Sequence, residues 1–571
     1  MKLARYVAKT LSDNGIDTVF GHIGGFNVDL VDAITEDQAR KFVLNYHEQG
    51  AAFAANSYAM VGEKIGVATS SGAPSTCNLI AGIANAFFDS VPCLFLVGSV
   101  HSKAVRTSPE IRQNAFEELD MVSLVAGITK YAVKVDNPKD IRYCLEKALY
   151  IAKDGRKGPV VIDVPYDVAR AEINTDELRS FIPRQERQHE PLYVRGLMEI
   201  LEDSKRPLIL LGGGARSATS KHALLTLLDK VAIPAVASLC GLDALPHDHP
   251  CFVGFIGHYG NRYANFALAN CDTLIVLGSR LDERQIAGDK SRFAPNAKIM
   301  RVDIDPAELG RHLPEHISIC STVENFLNSV LEEEYQTHCY EKWHEVISEW
   351  KRRYPSHDMR LDEVNAHNFL HAISDYLPQN AVICADVGQN QMFTAQSLRL
   401  GAAHKLLNSA GYGSMGFSLP AAIGAAYAQP NSTVISINGD GGLQMNLQEL
   451  QVVKRDNLPI KIIVFNNNCL GMIRRLQERI FDDRTVVSVQ GYESANYTSI
   501  AAAYGLEYVS IDSPDQYNVT KDWFQGASSV LIEVKLPQKI MNNPEPGAAI
   551  DLQTPLLSQS ENERIKADCL F

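Results

Sequence analysis

Thr433-Val-Ile-Ser-Ile-Asn-Gly-Asp-Gly-Gly442 decides how this chain is read. Val434 to Ile437 is a short apolar, β-branched run, the pattern of a parallel strand buried on both faces. It delivers Gly439-Asp440-Gly441 at its carboxyl end, where open α/β sheets bind ligands. A carboxylate there is a hard ligand for Mg²⁺, and Gly439, Gly441 and Gly442 let the backbone come close to a phosphate. Such a cation needs a second oxygen nearby. Asn467 follows 27 positions later, far enough for a crossover helix over 447–455 and a return strand over 460–465, so that both strand ends share one edge. Gly-Asp-Gly alone is a common turn sequence; the strand before it, the spacing and Asn466-Asn467 after it give it weight.

The same grammar repeats on either side. Residues 356–535 read as one α/β unit, with strands at 382–385, 434–437, 462–465 and 530–534. Residues 1–184 give another, with strands at 18–20, 42–44, 65–69, 94–97 and 160–164, and residues 191–345 a third, with strands at 208–211, 235–237, 274–277 and 299–304. The expected fold is therefore α/β, three doubly wound parallel-sheet domains in series. A polar stretch over 181–190 reads as a linker, and charged helical sequence over 332–353, with Trp343 and Trp350, leads into the last unit. The tail 536–571, with Asn542-Asn-Pro-Glu-Pro-Gly547, has no periodicity and reads either as an active-site cover or as a disordered end.

At 571 residues the chain is longer than one hydrophobic core can serve. Its formal charge of −13 comes without a basic stripe, which argues against nucleic acid and anionic membranes as partners. Eleven cysteines lie far apart, none at zinc-ligand or Cys-x-x-Cys spacing, as expected of free thiols in a reducing cytosol. Met1-Lys-Leu-Ala-Arg-Tyr-Val starts an amphipathic helix rather than a signal peptide, and no apolar run reaches membrane-spanning length. The expected location is cytoplasmic.

Other strand ends carry further candidates. His47-Glu48-Gln49-Gly50 opens a helix rich in small residues, where a glutamate is also simply a favourable first-turn charge. Asp386-Val-Gly-Gln-Asn390 follows a strand; the amides of Val387, Gly388, Gln389 and Asn390 offer an anion cradle, while Asp386 equally fits an ordinary helix cap. Gly411-Tyr-Gly-Ser-Met-Gly416 contains Gly413 and Met415, the latter by itself a core methionine. In the middle unit, Leu211-Gly-Gly-Gly214, Gly257-His-Tyr-Gly260, Gly278-Ser-Arg-Leu-Asp-Glu-Arg284 and Asp303-Ile-Asp305 are each, alone, a strand-end turn or a surface cluster.

In their order along the chain these segments resemble the thiamine diphosphate (ThDP) enzymes. The resemblance implies Mg²⁺ held by Asp440, Asn467 and the backbone carbonyl of Cys469. Val387, Gly388, Gln389, Asn390, Gly439, Gly441, Gly442, Leu470, Gly471 and Met472 would surround the diphosphate, and Gly413 and Met415 would prop the bent cofactor. Glu48 would be the carboxyl group at the aminopyrimidine N1′, with burial beside the ring raising its pKa. In this family the cofactor lies between the first unit of one subunit and the third of another, which implies a homodimer or homotetramer.

Over about residues 1 to 535 the chain is similar to the catalytic subunits of acetohydroxyacid (acetolactate) synthase, which also carry FAD. By that resemblance Arg156, Gly213, Gly214, Gly260, Gly278, Arg280, Asp282, Arg284 and Asp303 would bind FAD. The implied reaction is decarboxylation of a 2-oxo acid, pyruvate, and transfer of the remaining two-carbon unit to a second carbonyl compound. Gly24, Gly25, Phe116, Glu117 and Leu476, with Met472, would line the substrate pocket. Here the chain departs from the family: Ile23 stands for proline, Ala73-Pro74 for Pro-Gly, Glu117 for glutamine, Tyr166 for lysine and Leu476 for tryptophan, and the loop 100–115 is longer. Leu476 in place of an indole opens acceptor space. The loop and the tail also resemble ThDP proteins of surface-polysaccharide pathways, so a ketone acceptor such as a nucleotide-linked keto-deoxy sugar is the alternative. A simple 2-oxo acid decarboxylase and a silent nucleotide-binding subunit are further readings; retention of Glu48, Asp440 and Asn467 argues against the latter.

Overall fold

The computed structural model describes residues 1–36, 40–108, 110–183, 197, 200–332, 339–360 and 362–571. These hold three six-stranded sheets in which every neighbouring pair is parallel. The first contains β1 (Thr18–Gly21), β2 (Lys41–Leu44), β3 (Gly66–Ser71), β4 (Cys93–Ser99), β5 (Tyr131–Lys134) and β6 (Val160–Pro165), in the order 2-1-3-4-6-5. The second contains β7 (Pro207–Leu211), β8 (Ala235–Ala237), β9 (Phe252–Phe255), β10 (Thr273–Leu277), β11 (Lys298–Asp303) and β12 (Ile317–Cys320), in the order 12-11-10-7-8-9. The third contains β13 (Val382–Ala385), β14 (Lys405–Asn408), β15 (Val434–Gly439), β16 (Ile460–Asn466), β17 (Glu507–Ile511) and β18 (Val530–Lys535), in the order 14-13-15-16-18-17. Renumbered from its own first strand, the third sheet has the same order as the first. The second has the order 3-2-1-4-5-6 of dinucleotide-binding sheets.

Strand alternation turns the third sheet into the middle layer of the molecule. Val382, Cys384, Ile460, Ile462 and Val464 face a core shared with the first unit, whereas Ile383, Ala385, Ile463 and Phe465 face a core shared with the second. Both faces are thus covered, as a parallel sheet requires. On the first side the helix Glu48–Gly62 packs against the helix Ser418–Ala428. His47, in extended conformation, starts the former by accepting the Gln49 amide proton on Nδ1 at 3.1 Å. Its alanines permit backbone approach: a side chain at Gly424 would overlap the Ala54 carbonyl, and one at Gly82 would overlap Ala52.

Five strands absent from the expected set, β5, β9, β12, β14 and β17, are all sheet edges. The linker expected over 181–190 lies mostly outside the described residues, as do 333–338 of the charged helical stretch. The rest of that stretch is the helix Glu341–Arg353, with Trp343 and Trp350 buried and the Trp350 indole donating to Asp568 at 3.0 Å. The tail runs back over the second and third units. Arg262 donates to the Gln553 and Pro555 carbonyls, Gln396 to that of Pro544, and Arg292 pairs with Asp551. Among the described residues no helix is long and apolar enough to cross a membrane.

Candidate functional site

The third sheet reverses its strand order between β13 and β15, and the carboxyl ends of these two strands and of β16 form a crevice at that switch point. Register explains why the chain's most distinctive residues meet there. Gly439 pairs with Phe465, so Asp440 and Asn467 emerge side by side from adjacent strands. Three helices begin in the same place: Gln389–Ser397, Asp440–Met445 and Gly471–Ile480, all without a side-chain cap. Their closeness is fixed by glycines. A side chain at Gly471 would overlap the Gln389 amide, one at Gly442 would come within 2.8 Å of Asp386 Oδ1, and one at Gly441 within 2.7 Å of Leu470 and 3.5 Å of Met415 Cε. Uncapped helix amino termini leave N–H groups and positive dipole ends directed at one point.

Asp440 is buried, and its Oδ2 has no hydrogen-bond partner. Burial pushes its carboxyl group up to about 6, against the opposing pull of the Gly441, Cys469 and Asn468 amides and the Tyr492 hydroxyl. A buried, unpartnered carboxylate oxygen is costly unless a cation or proton meets it. Asn467 donates its Nδ2 to Gln389 Oε1 at 3.2 Å, and Gln389 in turn donates to the Ile540 carbonyl in the tail at 3.2 Å. Cys469 is buried, its thiol turned to the Gln538 carbonyl. Arg474, beside it, donates to the carbonyls of Gln538 and Ile540 at 2.7 and 2.8 Å. The tail thereby braces the site, in line with the first of its two expected readings, an active-site cover rather than a disordered end.

The loop after β13 differs from expectation in one respect. Asp386 Oδ1 accepts the Val387 amide proton at 2.7 Å, so that amide faces the aspartate rather than a ligand. The same carboxylate accepts from Gly416 and Ser418, both at 3.0 Å. It ties the cradle loop to the Met415 turn as an internal cap. Gly388, at φ 138°, makes the turn possible, and Asn390 closes it through the Asp386 carbonyl at 2.7 Å. Gly413 also lies at positive φ.

Glu48 sits on the first sheet's side of the interface, 8% exposed. Burial raises its pKa, but hydrogen bonds from Asn78 (2.9 Å) and Ser75, together with its own amide, outweigh burial and hold the carboxyl below its ordinary value. This reverses the expectation of a raised pKa: the chain's own donors favour the charged form. Its neighbour Gln49 reaches across, accepting from Asn446 at 3.1 Å, and Asn446 also donates to the Gly416 carbonyl at 2.8 Å. The expected pocket residues fall into two groups, one at Ser71-Gly72 and one on the helix Gly471–Ile480. Gly24 packs on Ser71 and Glu117 on Gly72, Gly25 has open space beside it, Met472 is part-buried, Leu476 is exposed, and Phe116 is 81% exposed.

Comparison with known proteins assigns the fold. Residues 1–124, 194–330 and 386–534 match, respectively, "Thiamine pyrophosphate enzyme, N-terminal TPP binding domain", "central domain" and "C-terminal TPP binding domain". The chain belongs to the thiamine pyrophosphate enzyme family. It is similar to the acetolactate synthase large subunit of Lactococcus lactis (36% identity; 90% of this chain, 88% of the relative). It is equally similar to a probable acetolactate synthase large subunit of Methanocaldococcus jannaschii (36%; 90% and 88%). Escherichia coli acetolactate synthase isozyme 2 large subunit is 34% identical (91% and 93%). The protein is an acetolactate synthase-like ThDP enzyme. Its relatives' names favour carboligation over the keto-sugar, decarboxylase and silent-subunit readings.

The second sheet of this ThDP enzyme has its own switch point, between β7 and β10, and a cleft opens beyond β10 and β11 against the turn after β14. Gly214 donates its amide proton to the Gly278 carbonyl at 3.0 Å, and a side chain at Gly278 (φ +60°) would lie 2.6 Å from Gly214 Cα. The cleft, about 440 Å³, is lined by Arg280, Asp282, Arg284, Arg311, His312 and Tyr412. Arg280 pairs with Asp282 at 2.7 Å, and Asp282 caps the helix Glu283–Ile286 by accepting from the amides of Arg284 and Gln285. Gly260 closes a turn onto Gly257, and Asp303 is buried at the end of β11. Arg156 reaches over from the first unit to Asp305 and Glu308, at 3.1 and 3.0 Å.

Proposed function

We propose that the protein condenses two molecules of pyruvate into 2-acetolactate, taking up one proton and releasing one CO₂. The observation that carries this reading is the unpartnered, buried Asp440 Oδ2 among three uncapped helix amino termini, in a chain whose relatives are acetolactate synthase large subunits. The donor set fits Mg²⁺ and a diphosphate. Asp440 offers a free oxygen, Asn467 is held by its nitrogen and would give its oxygen to a cation, and the helix starts would supply N–H groups. When bound, ThDP supplies the electron sink on which a 2-oxo acid loses CO₂.

The chain's own part is positioning and proton handling. Gly388, Gln389, Asn390, Gly439, Gly441, Gly442, Leu470 and Gly471 orient the diphosphate, with the Cys469 carbonyl as a third oxygen for Mg²⁺. Met415, facing Gly441, props the bend. Glu48 holds a proton at the pyrimidine nitrogen N1′. Met472 and Leu476, on the helix Gly471–Ile480, would border the acceptor space.

We infer that a second copy of the chain completes each site. Glu48 is bonded on its own side to Asn78, while Phe116, Met445, Leu476, Ile480, Phe481 and Val487 leave apolar side chains exposed. We also propose FAD in the second sheet's cleft, on the strength of its strand order, its touching glycines and its three arginines. The eleven free cysteines agree with a cytoplasmic location.

Mass spectrometry of products formed from pyruvate with ThDP and Mg²⁺ tests the reaction. 2-Acetolactate with CO₂ is expected, and acetaldehyde alone would refute carboligation. Mixing E48Q with D440A chains tests the shared site: activity should reappear on subunit exchange, and persistent inactivity would place both residues in a one-chain site.

A further inference from the structure

The interface between the first and third units contains two carboxylates, Glu449 buried and Asp89 part-buried, that the proposed reaction does not use. Glu449 lies between β15 and β16, the third and fourth strands of its sheet. Its Oε1 accepts the amide protons of Tyr46 (3.0 Å) and His47 (2.9 Å), and its Oε2 accepts from Asn45 Nδ2 (2.8 Å). Those residues form the turn after β2, the second strand of the other sheet, and the next residue is Glu48. Asp89 lies between β3 and β4, again the third and fourth strands. Its Oδ1 accepts from the Gly411 amide (2.7 Å) and its Oδ2 from that of Ala410 (3.1 Å), in the turn after β14 that leads to Met415. The arrangement is reciprocal: each sheet sends one carboxylate, from the connection between its third and fourth strands, to two backbone amides of the equivalent turn of the other.

Other contacts follow the same symmetry. The helices that follow these turns, Glu48–Gly62 and Ser418–Ala428, pack on each other. Phe88, beside Asp89, stacks on Tyr412 with 5.9 Å between ring centroids. A side chain at Gly50 would come within 2.8 Å of the Glu449 carboxyl, and one at Gly411 within 2.9 Å of Asp89. Burial pushes both carboxyl groups up, Asp89 to about 6 and Glu449 to about 7. Neither location is therefore favourable for a carboxylate that has no purpose there.

We propose that Glu449 and Asp89 are positioning residues, a pair of reciprocal latches through which each unit sets the turn carrying the other's cofactor-facing side chain, Glu48 and Met415. The inference rests on the roles given above to those two residues.

The hydrogen-bond pattern separates the two latches. Glu449 gives both amides to one oxygen, and Asn45 Oδ1 is buried without a partner. In E449Q the amide oxygen can keep both N–H groups while its NH₂ donates to a flipped Asn45. In D89N one of two amides must lose its acceptor.

The test is hydrogen exchange by mass spectrometry on the full chain, read on peptides covering 45–50 and 409–416, together with steady-state kinetics. E449A should speed exchange at 45–50 and lower kcat by about 10²-fold, the scale of a small misplacement of a catalytic group, with little change in the KM for pyruvate. E449Q should restore both. D89N should open 409–416. If E449A fails to fold, E449D, which keeps the charge but falls short of the amides, takes its place. Unchanged exchange at 45–50 overturns the latch, and faster exchange with undiminished kcat overturns its positioning role. E48Q, measured alongside, separates the two claims. If E48Q turns over normally, the reading of Glu48 falls and the positioning role with it; if E48Q is inactive and E449A is not, only the latch inference fails.

Discussion

The first and third sheets share a strand order but present different chemistry at their carboxyl ends. The third brings together three uncapped helix starts, glycines and a carboxylate with one unpartnered oxygen, all suited to holding a metal and a diphosphate. The first offers one glutamate at a helix start whose small residues serve close packing. One topology therefore yields a charge-binding end and a proton-handling end, and the difference lies in a few residues after equivalent strands. The second sheet, with another order, puts its glycines and arginines at a different switch point.

That division of labour can be broken most severely at Glu48. E48Q should lower kcat by roughly 10²- to 10⁴-fold, the usual span for a lost acid-base group, measured as CO₂ release from pyruvate. On the third sheet, Gln389 holds the Asn467 side chain by its nitrogen, so Q389A should weaken the proposed Mg²⁺ binding by about 10- to 100-fold, measured by activation against Mg²⁺ concentration. In the second sheet, G278A forces a side chain against Gly214 at positive φ. It should cost about 1–3 kcal/mol in denaturant unfolding and release FAD while ThDP still binds. Glu449 adds a pH dependence. Its carboxyl is raised from 4.5 to about 7, so its contribution to stability is full below the ordinary value and is lost as pH rises through about 7. Wild-type Tm should fall over that window, and E449Q should remove that part of the slope.

Most of this was legible in the sequence because buried parallel strands are continuous apolar runs and strand-end motifs have fixed spacing. β13, β15, β16 and β18 show this, with Asp440 and Asn467 falling on neighbouring strands as their separation requires. What escaped was what depends on the third dimension. Tyr131–Lys134 and Glu507–Ile511 are edge strands with part-exposed residues and no apolar run, and Phe252–Phe255 is short and broken by Gly254. The turning of the Val387 amide to Asp386 and the hydrogen bonds that lower the Glu48 pKa are local details that no spacing encodes. Glu449 in Leu447-Gln-Glu449 looks like an ordinary helix charge until its partners, some four hundred residues away in sequence, are in view.

On this reading two like sheets hold one cofactor from opposite ends, one binding it and the other activating it. Calorimetric titration of ThDP with Mg²⁺ into the wild type, E48Q and D440A, paired with CO₂ release from pyruvate, tests it most directly. The account predicts that E48Q binds like the wild type but scarcely releases CO₂, and that D440A does not bind. Undiminished binding by D440A, or wild-type turnover by E48Q, would contradict it.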